Sequence, residues 1–379
     1  MTGWRDMALV MVTSTLAGTT LALVSPLTSL VMDAHGWSDT LIGANTAMHG
    51  LGIFLVAPFV GRLTTRLGAV GCMQLALLTI IAAILVMPLA IEPWLWFPMR
   101  LLIGTGSGLL FIMSEAAVNA LAPEQDRGRL IGLYGTLFSV GYTAGPLVVA
   151  LAGHEGWPPF LVAAGLLALG LIPASMTAAA NRALAGTSHE RPKVLPVLHR
   201  APLAIATVFV FGFVEAAFFG LLPLWGLAVS LSESAAAMVL SAWIAGNIIL
   251  QIPLGWASDR FGRRQITVVC TILSLLSLAA VGPAVAHPWL LWPLLALMGG
   301  VMGGLYTLAM ALLGQSFKGS EMAAAATGFV VVFEIGAVLG PAILGGGIDL
   351  FGAASLPWLS MVPLLALLAV APRLRAPVA

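Results

Sequence analysis

The chain has 379 residues, of which 60% are hydrophobic and 8% charged, and its net charge is +1; its mean hydropathy is +1.04. A soluble domain carries about 25% charged residues, so no soluble fold could hide this much apolar surface. The class is a polytopic membrane protein, and nothing in the charge balance speaks for a nucleic-acid partner.

A helix needs about 20 apolar residues to cross roughly 30 Å of hydrocarbon. Twelve such runs are predicted, at 7–31, 40–60, 69–90, 94–121, 128–152, 157–178, 202–229, 234–256, 265–286, 289–315, 322–347 and 353–371. They are continuous rather than alternating, so they read as helices and not as barrel strands. The first run follows Arg5 and Asp6 and is too long for the core of a cleaved signal, so it reads as a span.

Orientation follows from Lys and Arg. Arg5, Arg62, Arg66, Arg127, Arg129, Arg182, Arg191, Lys193, Arg200, Arg260, Arg263, Arg264, Lys318, Arg373 and Arg375 all fall on one side. The opposite loops hold Asp33, Asp39, Glu92, Glu155, Glu233 and Asp349, with no Lys or Arg, and only Arg100 lies inside a span. Both termini are therefore expected on the cytoplasmic face. Cys72 and Cys270 start spans on that same face, where neither a disulfide nor a metal site is expected.

The chain repeats itself. Gly61-Arg62-Leu63-Thr64-Thr65-Arg66-Leu67-Gly68 recurs 194 residues later as Gly255-Trp256-Ala257-Ser258-Asp259-Arg260-Phe261-Gly262, followed by Arg263 and Arg264. Gly141-Tyr142-Thr143-Ala144-Gly145-Pro146 recurs 195 residues later as Gly336-Ala337-Val338-Leu339-Gly340-Pro341. The longest loop, 179–201, is polar and basic and suits a linker between two halves. The expected domains are an N-terminal six-helix bundle over 1–178, this linker, and a C-terminal bundle over 202–379. Parallel halves of this kind are one plan for a transporter, with the substrate site near the membrane midplane.

These motifs resemble those of the major facilitator superfamily of secondary transporters, and the resemblance covers essentially the whole chain. The family's loop signature is roughly G-x-x-x-D-R-x-G-R-R. Gly255, Asp259, Arg260, Gly262, Arg263 and Arg264 match it fully. The first copy keeps Gly61, Arg66 and Gly68 but has Thr65 in place of the acid and Ala69 in place of a base. The resemblance implies a cytoplasmic gate at these turns, carried mainly by the second copy. Arg100, Gly104 and Gly106 match a span-4 signature, R-x-x-x-G-x-G, and Gly141, Gly145 and Pro146 match a span-5 signature associated with antiporters, without the glycine pair that often follows. Ser114-Glu115 and Arg127-Gly128-Arg129 are similar to those of small bacterial twelve-helix members grouped with drug and metabolite exporters. Pro146 and Pro341 are expected to bend their helices.

Ionisable residues inside a span cost roughly 2.5–3.5 kcal/mol on insertion scales and so point to function. Glu215 and Glu334, each near the middle of its span, are the leading proton-coupling candidates; either could instead be a protonated glutamate bonded to a neighbouring helix. His49 could titrate or simply bond to Asn45, one turn earlier. For Arg100 the resemblance implies proton coupling, and the alternative is an arginine held by an outer carboxylate such as Asp33. Glu115 could serve a proton step or a helix-end bond. Asn45, Tyr142, Trp243, Asn247, Gln251 and Tyr306 are the candidate substrate-lining residues. Phe211, Val214, Glu215 and Phe218 share a face of span 7, where an acid framed by aromatics suits a cationic or amphipathic solute, unless the rings face lipid.

The chain has no H-E-x-x-H, G-x-x-x-x-G-K-[ST] or G-x-S-x-G. The reading is a secondary active transporter, not an enzyme, with no cofactor and no metal, and expected to be monomeric. Its partners would be the bilayer, protons and a small organic solute. Proton-coupled export by antiport is the first reading. A proton-coupled importer or a facilitator of a metabolite is the second, and an intramembrane enzyme or sensor a distant third.

Overall fold

A computed structural model describes residues 2–124, 126–177, 180–181, 200–317 and 320–371. Most of the expected linker, with Arg182, Arg191 and Lys193, lies outside the described residues, as do Lys318, Arg373 and Arg375. The described residues form twelve α-helices and no strand. These are α1 (Thr2–Ala34), α2 (Asp39–Val56), α3 (Val60–Val86), α4 (Pro93–Leu121), α5 (Arg127–Ala152) and α6 (Pro158–Ser175). They are followed by α7 (Pro202–Ala228), α8 (Glu233–Phe261), α9 (Arg263–Ala284), α10 (Pro288–Ser316), α11 (Ser320–Phe351) and α12 (Leu356–Val370).

Asp39–Leu89 is one apolar stretch of 51 residues. At 1.5 Å per residue it would be about 77 Å long, more than twice the hydrocarbon core. The chain divides it. A short 3₁₀ turn at Ala57–Phe59 leads into α3, and inside α3 the backbone leaves helical geometry at Gly68, with φ 71° and ψ 173°. The span expected from residue 69 begins at that break. The second copy breaks in the same place, with Gly262 at φ 94° between α8 and α9. Both conformations disfavour an L side chain, which is why the repeated turn ends in glycine each time.

The helices overrun the apolar runs at several ends. Arg5 and Asp6 belong to α1, and Asp39, Glu233, Arg260 and Asp349, expected in loops, lie in terminal turns of α2, α8 and α11. Polar residues are welcome where a helix leaves hydrocarbon, so hydropathy alone ends a span too early. Prolines at the first helical positions of α4, α6, α7 and α10 cost no hydrogen bond there.

Two compact units are present, one of Met1–Gly36 with Met48–Glu190 and one of Trp37–Ala47 with Arg191–Ala379. The dividing line falls inside α2. In the first unit, glycines let α5 press onto α1: a methyl at Gly145 would fall 2.5 Å from the Thr19 carbonyl oxygen and 2.6 Å from the Leu23 nitrogen. In the second unit α11 presses onto α7 in the same way, where a methyl at Gly340 would fall 2.6 Å from the backbone carbon of Phe213. Small residues at such spacings permit close helix approach in lipid.

Candidate functional site

The repeat extends well beyond the motifs that first revealed it. In the first unit Gly104 of α4 packs on the backbone of His49 in α2, where a methyl would lie 2.7 Å from the His49 carbonyl carbon. In the second unit Gly299 of α10 packs on the backbone of Trp243 in α8, with the corresponding distance 2.6 Å. Gly52 and Gly246 make the reciprocal contacts, to α4 and α10 respectively. A glycine-to-glycine scan at offsets of 194 and 195 residues would have found these pairs in the sequence.

His49 and Arg100 are thereby held together in the first unit, each on one side of a glycine contact. Arg100 is 3% exposed and its Nη2 donates to Ser25 Oγ in α1 at 3.1 Å. Ser25, not the expected Asp33, is its hydrogen-bond partner; Asp33 has an electrostatic interaction with His154 instead. Arg100 also interacts electrostatically with His49 and Tyr142. The Nδ1 of His49 is enclosed without a hydrogen-bond partner, and both amide atoms of buried Asn45 are likewise unpartnered among the described residues. The expected alternative of a His49–Asn45 bond is therefore not formed. Tyr142 stacks on Phe138 at 5.4 Å between ring centroids.

Glu115 is exposed. Asn119 Nδ2 donates to the Glu115 backbone carbonyl at 3.2 Å within α4, and the carboxylate takes no part in that bond.

The second unit holds the acidic pair. Glu334 of α11 is 7% exposed and Glu215 of α7 is half-buried. The two carboxyls interact electrostatically, and neither has a hydrogen-bond partner among the described residues. The alternative of a glutamate bonded to a neighbouring helix is thus not what the side chains do. An aromatic wall stands beside them: Phe211, one turn before Glu215, lies 5.6 Å from Tyr306 and 6.0 Å from Phe333, next to Glu334. Phe211 and Phe218 are buried within the unit, so they do not face lipid. Trp243 is buried between Phe218 and Phe219, each at 6.0 Å, and its indole nitrogen has no partner among the described residues. Asn247 packs against Gly303 of α10, whereas Gln251 is exposed.

The turn around Gly262 is tied by arginines. Arg263 donates to the Ala311 carbonyl at 2.6 Å and lies 3.5 Å from Asp259. Arg264 donates to the Ala371 carbonyl at 3.1 Å, and Arg260 covers the Trp256 ring at 5.4 Å. In the first copy Arg66 is exposed and the amide of Val70 donates instead to Asn181 Oδ1 at 2.9 Å. Ala69 is 1% exposed in a core with Met7, Ala117 and Tyr134, which accounts for the missing base. Asn181 was not foreseen, because an amide far along the chain carries no local pattern. Gly61 lies just inside α3 and Gly255 in α8, where a methyl on Gly255 would meet nothing within 4 Å.

The model of the Major Facilitator Superfamily matches residues 10–231 and 205–378. The chain belongs to that superfamily. An uncharacterised MFS-type transporter of Bacillus subtilis, YfkF, is 26% identical over 353 residues, covering 90% of this chain and 88% of that protein. YcaD of Escherichia coli, also an uncharacterised MFS-type transporter, is 23% identical over 327 residues, covering 85% and 83%. The fold is that of solved superfamily members. The nucleoside transporter NupG superposes with a TM-score of 0.79 at 14% identity, covering 98% of each chain. A bacterial homologue of the lysosomal transporter Spinster scores 0.78 at 16% identity, covering 97% of this chain and 95% of that one. A D-xylose–proton symporter scores 0.73 at 15%, covering 98% and 97%. Identities this low carry the fold and leave the solutes with those proteins. This MFS member is a multi-pass membrane transporter.

Proposed function

We propose that the protein is a proton-coupled secondary transporter of a small organic solute, working by alternating access in a bacterial inner membrane, with Glu215 and Glu334 as its proton sites. The observation that carries this reading is the pair itself: two carboxyls in mutual electrostatic range, neither with a hydrogen-bond partner among the described residues, one of them 7% exposed. Like charges that interact in a poorly solvated site cannot both ionise cheaply, so the pair takes up and releases a proton as water reaches it or is excluded. Antiport, and hence export, rests on the likeness of Gly141, Gly145 and Pro146 to the antiporter signature.

The test starts from a thermal-shift screen of the purified protein against metabolite and drug libraries, then uses the hits in proteoliposomes. Glu215→Gln and Glu334→Gln should abolish accumulation driven by a proton gradient while leaving counterflow, because exchange needs no net proton movement. Full driven transport in both variants would remove the assignment. Proton release from the lumen on solute entry supports antiport, and proton co-entry overturns it in favour of symport.

A further inference from the structure

Arg100 is a buried cation without a counter-ion. Arg100 takes part in no ion pair among the described residues; the pairs Arg200–Glu321 and Arg263–Asp259 lie elsewhere. Ser25 takes one of its N–H groups, and Nε has no partner among the described residues. His49, alongside, presents an equally enclosed and unpartnered Nδ1. Buried charges in proteins are normally paired, because an isolated ion in an apolar site is severely penalised.

The arrangement is held rigidly. Gly104, one turn after Arg100, fixes the backbone of His49 against α4, and Gly52 fixes the same pair of helices from the other side, where a methyl would lie 2.6 Å from the Thr105 nitrogen. A guanidinium offers its donors as a planar fork that matches a carboxylate. One buried cation balances a monoanion and falls short of a phosphate dianion, and among the described residues no Lys or second Arg interacts with it. We propose that Arg100, with His49 and Ser25, binds the carboxylate of a carboxylic-acid solute. This site stands apart from the acidic pair and does not depend on proton coupling.

The test is equilibrium thermal unfolding of the purified full-length protein, with sodium benzoate and its neutral isostere benzamide as probes and no gradient present. Benzoate at about ten times its dissociation constant should raise Tm by about 2 °C, and benzamide should not. Arg100→Gln should lose the benzoate response while its ligand-free Tm stays at or above that of the unaltered protein, since an uncompensated charge has been removed. Arg100→Lys, which keeps the charge without the fork, should keep a reduced response. Equal responses to the two probes, no response to benzoate, or an unchanged response in Arg100→Gln would each overturn the proposal. If Arg100→Gln does not fold, the comparison of benzoate with benzamide on the unaltered protein decides. Loss of proton-driven transport in the glutamate variants would leave this result untouched.

Discussion

The Asp349 carboxylate caps the first turn of α2, accepting the amide of Asp39 at 2.8 Å and that of Thr40 at 2.9 Å, together with the Thr40 hydroxyl. Ser38 Oγ accepts the next amide, that of Leu41, at 3.3 Å. Three of the four amides that a helix start leaves unpaired are thus satisfied, two of them from a residue 310 positions away. The negative charge also faces the positive end of the helix.

Replacing Asp349 by Ala should therefore cost about 1 kcal/mol, as the loss of a helix cap does. Thermal unfolding at two salt concentrations reads it: a drop in Tm that narrows as salt rises is expected, and an unchanged Tm would show that water replaces the carboxylate without loss.

The glycines of the repeated segments should not respond alike to alanine. Gly340→Ala drives a methyl into the Phe213 backbone and should cost about 1–3 kcal/mol. Gly262→Ala meets no crowding closer than 3.9 Å but must hold φ at 94°, a strain of about 1–2 kcal/mol. Gly255→Ala has open space in a helix and should be neutral or stabilising by up to about 1 kcal/mol. Ranking the three Tm values checks the order.

Asp259 separates gating from stability. Its side chain is 72% exposed and its pairing with Arg263 is 3.5 Å long, so Asp259→Asn should change stability by less than about 1 kcal/mol. Turnover should nonetheless fall if the turn latches the closed inner side. Normal turnover at normal Tm would count against a gate here.

Cys72 and Cys270 are both free and 0% exposed. A maleimide should label neither in the native protein and both after denaturation; native labelling would mean that α3 or α9 opens readily.

The twelve spans were legible because uninterrupted apolar runs leave a helix as the way to satisfy the backbone in lipid. The turn ending at Gly262 was legible for a related reason, since charges gather where the chain leaves hydrocarbon. The surroundings of Arg100 were not. Its partner Ser25 looks like any small residue in an apolar run, and only the packing of α1 beside α4 brings the two together. Asp349 read as a loop acid, since nothing near it in the chain announces a cap on α2. Glu215 and Glu334 stood out singly, but their mutual proximity depends on Gly336 and Gly340 letting α11 settle onto α7.

The slip of the repeat from 194 to 195 residues has its own meaning. The buried faces of α3 and α9 keep a single offset: Met73, Ala76, Leu77, Ile80, Ala83, Ile84 and Met87 correspond, 194 residues on, to Thr267, Cys270, Thr271, Ser274, Ser277, Leu278 and Val281, all of them buried. The extra residue enters only after Met87 and Val281, before Pro93 and Pro288 open α4 and α10. It thus falls in a connection, where no helical register depends on it. Arg263 and Arg264 stand where the first copy has Ala69 and Val70, so the two halves diverged in charge at one face by substitution alone. A chimaera that carries this turn into α3 should for the same reason need no added residue, and inserting one would swing Met73 and Ala76 out of the interior.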